Sequence, residues 1–280
     1  MFDFFKKRKP VTKEEEKSHP SAHDSFDDPG AIFELFTRIT GMHFTSKEQI
    51  TKQKLQNFCM RYQLGGFTEL NDRLRQDNML LQALIDYLTV NETYFFREAE
   101  QLDILKTQIK NTPGKMHILC APCATGEEVY SIIISFLDAG ITPERFKVTG
   151  IDINASAIEH AKQGLFSERS VNRVDPDLLA RYFSKEENNY RVSEEVRRLS
   201  DFKRENIFDE SFYRIGSFDV IFSRNLFIYF DEKEKRKAVE IFCSLLKTGG
   251  HMFFGHADNF DDPVCLTSEF IGRTRVYRKI

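Results

Sequence analysis

The loop at residues 120–128 (CAPCATGEE) holds the first candidates for ligand chemistry. An apolar run (MHILCA, 116–121) leads into it and a helical pattern follows it. In doubly wound sheets such a strand-to-helix loop contacts a nucleotide-like ligand. Its single glycine, Gly126, is too few for the G-x-G-x-x-G loop that binds a dinucleotide pyrophosphate. Glu127 and Glu128 would repel a phosphate but suit a cationic or hydroxyl-bearing ligand; the alternative is that they are ordinary first-turn acids favoured by the helix dipole.

Asp152 ends the second predicted strand (KVTGID, 147–152), 26 positions after Gly126. In this class of fold an acid at that place hydrogen-bonds ribose hydroxyls, although a helix N-cap would also use it. The acid and a loop without phosphate-binding glycines together favour S-adenosylmethionine over NAD. That cofactor carries a sulfonium and an amino group and no phosphate.

Two further runs mix aromatic and polar residues. NETYFFR (91–97) sets Asn91, Thr93 and Arg97 among three aromatic residues, and SRNLFIYFD (223–231) places Asn225 just after a predicted strand. Packing would explain the aromatic side chains but not the polar ones between them. The two runs therefore predict parts of a binding site.

The cysteines and histidines give no comparable signal. A zinc site needs four ligands, and no second pair stands at a suitable spacing from Cys120 and Cys123. Five cysteines are an odd count without the spacing of a disulfide framework. We therefore expect reduced cysteines, structural histidines and no bound metal.

The elements that would position these residues alternate between strand and helix after Pro113-Gly114. The predicted strands are 116–121, 147–152, 218–223, 251–255 and 270–277, and the predicted helices are 127–139, 154–163 and 231–246. Asp231 and Glu234 are typical of a capping box, and Gly249-Gly250 of a helix end. This alternation predicts an α/β fold with a doubly wound, Rossmann-like sheet over 99–280. A small all-helical domain (31–98) and a flexible charged tail (1–30) precede it.

Composition excludes several classes of protein. The chain has 280 residues, is 41% hydrophobic and carries a net charge of −3, so it can bury a core and is not built to grip nucleic acid. No apolar run approaches the roughly 20 residues of a membrane span, and the start (MFDFFKKRKP) lacks a signal-peptide core. We expect a cytoplasmic monomer with no stable membrane insertion and no nucleic-acid partner.

Five runs, in this order, resemble the chemotaxis receptor methyltransferase family (CheR). They are NETYFFRE (91–98), ATGEEVYS (124–131), GIDIN (150–154), FDVIFSRNLFIYFD (218–231) and LLKTGGHMFFGHAD (245–258). The resemblance covers residues 31–280. It implies transfer of a methyl group from S-adenosyl-L-methionine to glutamate side chains in the cytoplasmic helical domain of chemoreceptors.

The resemblance also implies roles for single residues. Asn91, Thr93 and Arg97 would contact the methionyl end of the cofactor, Glu127 its amino group and Asp152 its ribose. The remaining assignments are Asn206 and Ile207 at the adenine, Asn225 and Leu226 near the sulfonium, and Arg97 with Tyr229 in methyl transfer. The chain departs from the family pattern at Pro122, Val129, Gly150 and Ala257-Asp258.

Two features are candidates for recognising the substrate, a row of basic residues and an inserted subdomain. Lys47, Lys54 and Arg61 recur every seven residues, which suits an acidic receptor helix but also an ordinary solvated face. The family carries a small inserted β-subdomain that in some members tethers a receptor peptide; here the candidate is 165–199, with a possible strand at 190–192. No glycine lies between Gly164 and Gly216, so we expect no tether.

The alternatives to a chemoreceptor methyltransferase are a cofactor-binding sensory module and a methyltransferase for another protein.

Overall fold

Four helices open the part of the chain that the structure describes. In this computed structural model residues 26–44, 48–260 and 264–280 are described, so most of the predicted tail, together with Lys47, lies outside it. The helices are α1 (Gly30–Thr40), α2 (Glu48–Arg61), α3 (Phe67–Leu74) and α4 (Asn78–Leu88). Each buries one apolar face, as Leu55 and Phe58 of α2 show. Asp77 caps α4 by accepting hydrogen bonds from the next helical N–H groups, those of Met79 and Leu80.

Ten strands follow among the described residues. They are β1 (Met116–Cys120), β2 (Phe146–Asp152), β3 (Leu165–Ser167), β4 (Phe183–Glu186), β5 (Asn189–Val192), β6 (Ser200–Arg204), β7 (Phe218–Ser223), β8 (Leu246–Phe254), β9 (Leu266–Ile271) and β10 (Thr274–Lys279). Seven of them form one sheet in the order β6-β2-β1-β7-β8-β10-β9. The first five run parallel, and β10 is antiparallel to both of its neighbours.

Helices cover both faces of this sheet, which confirms the predicted doubly wound α/β fold. The later helices are α5 (Ala99–Asn111), α6 (Glu127–Asp138), α7 (Ala155–Gln163), α8 (Glu168–Val171), α9 (Pro176–Tyr182), α10 (Glu194–Arg197) and α11 (Glu232–Leu245). One apolar cluster joins α5, α6 and α7 to the first face. The other cluster joins α11 and all four opening helices to the second face.

Residues 165–197 form a small separate unit between β2 and β6. Its three strands pair in the order β3-β5-β4, with α8, α9 and α10 around them. The β4–β5 hairpin closes without glycine because Glu187 itself takes a left-handed conformation, with φ at 52°. The lack of glycine therefore does not prevent a hairpin here.

Several predicted boundaries are wrong. Helix α11 ends at Leu245, and Gly249-Gly250 lies inside β8, where Leu246 already pairs with Phe218. The predicted strand 270–277 is two strands joined by a turn at Gly272. Strand β6 (SDFKR) escaped prediction because its mixed, partly exposed residues carry no apolar run.

The prediction that every cysteine is reduced is also wrong. Cys243 and Cys265 form a disulfide, while Cys59, Cys120 and Cys123 are free and buried. The last turn of α11 lies beside the segment that enters β9, which brings the two Cα atoms within 6.6 Å. A separation of 22 residues between the partners gave no sequence signal for this pairing.

Among the residues described, no helix has the length and apolar character needed to cross a bilayer.

Candidate active site

Three adjoining cavities lie at the carboxyl ends of the parallel strands. The largest, about 570 Å³, is lined by Thr93, Arg97, Asn225 and Tyr229. A second, about 390 Å³, shares Thr93 with it and is lined by Asn91 and Glu127. The third, about 50 Å³, shares Pro122 with the first. Most of its lining is apolar, and the assigned residues in it are Asp152, Asn206, Ile207 and Leu226. The ten residues assigned by resemblance thus line one connected region.

The loop after β1 is fixed by backbone hydrogen bonds to both neighbouring strands. Cys123 N donates to Ile151 O at 2.7 Å, and Ala121 N donates to Phe222 O at 2.8 Å. Gly126 has φ at 97°, and a Cβ there would come within 2.8 Å of the Ala161 side chain. The single glycine of this loop is therefore required for the close packing of α6 against α7.

Asp152 lies at the end of β2 and is 6% exposed. Its Oδ2 accepts a hydrogen bond from Ala124 N at 2.8 Å, and its Oδ1 accepts one from Asn154 N at 2.9 Å. Burial raises the pKa of this carboxyl to about 6. Each carboxylate oxygen can accept a second hydrogen bond, so the ionised group can still receive a ligand hydroxyl.

Glu127 is almost fully buried at the start of α6. Its Oε2 accepts a hydrogen bond from the Thr125 hydroxyl at 2.6 Å. Burial raises the pKa of this carboxyl, since desolvation disfavours its charged form. A cationic ligand group in the adjoining cavity would compensate the buried charge.

The smallest cavity, called the slot below, has the side chain of Asn206 in its wall. Asn206 donates from Nδ2 to Ile39 O at 2.8 Å, and its Oδ1 accepts a hydrogen bond from Phe208 N at 3.1 Å. This amide is therefore occupied by the protein and fixes the loop after β6 against the opening helices. Ile207 and Leu226 supply the apolar sides of the slot.

Asn225 sits in a strained turn that Asp258 holds in place. Its φ is 61°, and its amide oxygen is buried without a hydrogen-bond partner among the described residues. Asp258 accepts hydrogen bonds from the backbone N–H groups of Asn225, Phe227 and Gly255. An unpartnered buried amide oxygen beside a cavity is the kind of group that a ligand donor satisfies.

A buried ion pair joins three of the site's segments. Arg224 pairs with Glu128 and also donates to the carbonyl oxygen of Arg97, and the side chains of Arg224 and Glu128 are 4% and 7% exposed. Sequence reasoning named Glu128 as a possible ligand contact but not as the partner of Arg224, and it assigned neither Arg224 nor Asp258 to the site. The Glu-Glu pair at the helix start and the change at 257–258 were the available signals.

A cluster of potential metal ligands lies outside these cavities. One ligand atom each of His43, Asp231 and Glu234 lies within 4.8 Å of the others. Asp231 caps α11 through its other oxygen, and hydrogen bonding from Glu234 lowers the pKa of Asp231 to about 2. The cluster links the segment after α1 to α11.

The donor set fits S-adenosylmethionine. The buried Glu127 suits an ammonium group, and Asp152 suits ribose hydroxyls. The slot at Ile207 and Leu226 suits a flat base, and the Asn225 oxygen has no hydrogen-bond partner in the described part of the chain. No group that would bind a pyrophosphate lies in the loop after β1. These features agree with the cofactor predicted from the sequence.

Comparison with known proteins gives consistent matches. Residues 91–272 match the family model described as "CheR methyltransferase, SAM binding domain". A chemotaxis protein methyltransferase of Campylobacter jejuni (strain 81-176) is 34% identical over 250 residues, which cover 89% of this chain and 95% of that protein. Chemotaxis protein methyltransferase 2 of Vibrio cholerae is 35% identical over 241 residues, covering 81% and 83%. The chemotaxis protein methyltransferase of Escherichia coli is 36% identical over 184 residues, covering 64% of each chain.

Proposed function

Because this chain belongs to the CheR methyltransferase family, we propose that it transfers a methyl group from S-adenosyl-L-methionine to glutamate carboxylates of chemoreceptors, giving glutamate methyl esters. The observation that carries the proposal is the convergence of ten residues from five separate segments on one connected set of cavities. We place the reaction in the cytoplasm and take the protein to act as a monomer.

The cofactor, when bound, supplies an activated methyl group on a sulfonium. Glu127 would hold its amino group and Asp152 its ribose, while Arg97 and Thr93 would contact its methionyl end. Asn225 would present its unpartnered amide oxygen to the same cavity. These residues orient the cofactor without any change in their own protonation during the reaction.

The substrate carboxylate needs little activation. An ordinary glutamate has a pKa of about 4.3 and is ionised at neutral pH, so no general base is required. Tyr229, half-buried at the cavity wall, would help to exclude water from the reacting carboxylate, and burial raises the pKa of its own phenol. A drier site makes the carboxylate a better nucleophile.

The opening helices would recognise the substrate protein. Of the predicted basic stripe, Lys54 and Arg61 lie on α2 in the described part of the chain, and both side chains reach solvent. Lys54 is partly exposed and Arg61 is exposed, so both charges are available to an acidic helical partner. Such a charged face steers association more than it adds affinity.

The test is transfer of labelled methyl from S-adenosylmethionine to chemoreceptor-containing membranes, scored as volatile methanol released by base. We expect label release with the wild-type protein and loss of at least about tenfold in kcat/KM for Arg97→Ala, since a charge-assisted contact is removed. The Arg61→Ala variant is tested beside it. We expect this variant to raise the KM for the receptor and to leave cofactor binding unchanged. No transfer from a preparation shown to bind the cofactor would overturn the proposal and favour a sensory module or another protein substrate.

A further inference from the structure

The largest site cavity carries more arginine than its acids can balance. Four arginines line it, namely Arg97, Arg169, Arg173 and Arg224, against two acids, Glu92 and Glu128. Arg224 pairs with Glu128 in the interior, and Arg169 pairs with Glu92 at the surface. Arg97 and Arg173 form no ion pair with the described residues. Two guanidinium groups are thus left to attract an anion at the cavity.

Arg173 is held in a defined position by Tyr94. Its Nη1 donates to the Tyr94 hydroxyl at 2.9 Å, and its Cζ lies 4.4 Å from the centre of the same ring. The Cζ of Arg97 lies 5.6 Å from that ring. One aromatic ring therefore orients both unpaired guanidinium groups, which lowers the entropy lost when they bind.

The small unit at 165–197 that carries Arg173 is firmly joined to the 91–97 segment. Phe95 is buried between Phe166 and Phe183, with ring centres 4.9 and 5.0 Å away, and Phe95 N donates to Ser170 O at 3.0 Å. Arg173 is consequently fixed relative to Arg97 and the reaction site. A guanidinium on a rigid support discriminates between ligands better than one on a free chain.

The arginines differ in which of the two larger cavities they line. Arg169 lines both the largest cavity and the cavity of Glu127 and Asn91, where the cofactor's methionyl end is assigned. Arg173 lines only the largest cavity of the two. It is exposed on the solvent side, where an incoming protein carboxylate arrives first. Arg173 is thus absent from the cavity of Glu127, where the cofactor's amino group is assigned.

We propose that Arg173, oriented by Tyr94, binds a second acidic side chain of the substrate, next to the carboxylate that is methylated. The proposal rests on the function above. On a helix, residues three or four apart lie about 5–6 Å from each other, so a neighbouring acid on the same face can reach Arg173 while the target enters the cavity. Arg173 then selects glutamates in locally acidic helical segments, and Tyr94 is its positioning residue.

The experiment compares wild-type protein with Arg173→Gln on receptor membranes. Because a charge-assisted hydrogen bond is lost, we expect kcat/KM to fall about 10- to 100-fold, mainly through KM. The dissociation constant for S-adenosylhomocysteine should stay unchanged. Arg198→Gln is the matched control, since Arg198 is exposed directly after this unit and lines none of these cavities, and its one ion pair among the described residues is with Glu194. Tyr94→Phe, which keeps the ring but loses the hydroxyl, should give an intermediate KM.

A second arm changes the substrate. Neutralising the acids that flank the target glutamate should slow the wild-type enzyme and leave Arg173→Gln almost unaffected, so that the two changes are not additive. An unchanged KM in Arg173→Gln, or additive effects, would overturn the proposal. Weaker S-adenosylhomocysteine binding in that variant would also overturn it, by moving Arg173 to the cofactor. Absence of methyl transfer by the wild-type protein would instead overturn the proposed function itself.

Discussion

At the scale of single residues, the pKa of Asp152 lies close to neutral pH. Its burial raises the pKa to about 6, while hydrogen bonds from the backbone of Asn154, Ala124 and Ile153 partly offset that rise. Only the ionised carboxylate can accept these hydrogen bonds and a ribose hydroxyl on both oxygens. Protonation therefore removes an acceptor from the position assigned to the ribose.

We expect cofactor affinity to depend on pH through this group. Affinity should be constant above about pH 7 and weaken as pH falls through about 6, approaching tenfold per unit, because binding favours the deprotonated form. Isothermal titration with S-adenosylhomocysteine from pH 5 to 8 measures it. Asp152→Asn should bind more weakly and without the step, whereas Glu127→Gln should keep it. A step that persists in Asp152→Asn would assign the titration to another group.

The residues that share sequence motifs could be predicted, while their supporting contacts could not. Asn91, Glu127, Asp152 and Asn225 stand in short runs whose order carries the information. The pair of Arg224 and Glu128 joins positions 96 apart, and nothing local indicates it.

Two departures from the family pattern have a spatial explanation. A Cβ on Gly150 would come within 2.7 Å of Val129, so two of the departures touch and fit each other.

At the scale of elements, helix α4 caps helix α7 from outside. Asp86 on α4 accepts hydrogen bonds from Ala155 N at 2.8 Å, Ser156 N at 3.1 Å and the Ser156 hydroxyl at 2.7 Å. These are N–H groups that a helix start leaves without intrahelical partners. Asn154, between them and Asp152, donates to the Asp152 carboxylate. An opening helix thus supports the loop that presents Asp152.

Removal of this contact should weaken both stability and binding. Asp86→Ala should lower the free energy of unfolding by about 0.5–2 kcal/mol, the range for removing a carboxylate that caps a helix start. It should also lower S-adenosylhomocysteine affinity several-fold, since the loop after β2 loses support. Urea unfolding and calorimetry would measure the two effects. Asp72→Ala, on the exposed side of α3, should leave both values unchanged. Normal affinity in a destabilised Asp86→Ala would separate the capping contact from the site.

Elements with strong apolar runs were predicted within one or two residues, among them β1, β2, β7 and α6. The failures share a cause, which is that long-range pairing decides them. Strand β6 forms because β2 offers it a parallel edge, from Val148 with Ser200 to Asp152 with Arg204. The start of β8 overrides the local preference of Gly249-Gly250 because β7 lies beside it.

At the scale of the whole molecule, the disulfide fastens the carboxyl-terminal hairpin to α11. Closing a loop of this length restricts the unfolded chain, which is worth about 3 kcal/mol. Replacing both Cys243 and Cys265 with alanine should lower the free energy of unfolding by that amount in oxidising buffer. Wild-type protein treated with dithiothreitol should match the variant. Thiol titration of denatured, unreduced protein should find three free thiols, and a count of five would contradict the pairing.

The apolar cluster beneath the opening helices has a consequence for how this enzyme can be divided. The family match begins at residue 91, yet Leu84 and Leu88 of α4 share one cluster with Leu119, Ile151 and Ile221 of the sheet. A fragment cut at that boundary would carry every residue assigned to the cofactor and still lose part of the apolar cover on the second face of the sheet. The segment that matches the family model is therefore smaller than the segment that packs around this apolar cluster. An exchange of the opening helices between relatives must therefore include the sheet residues that pack against them.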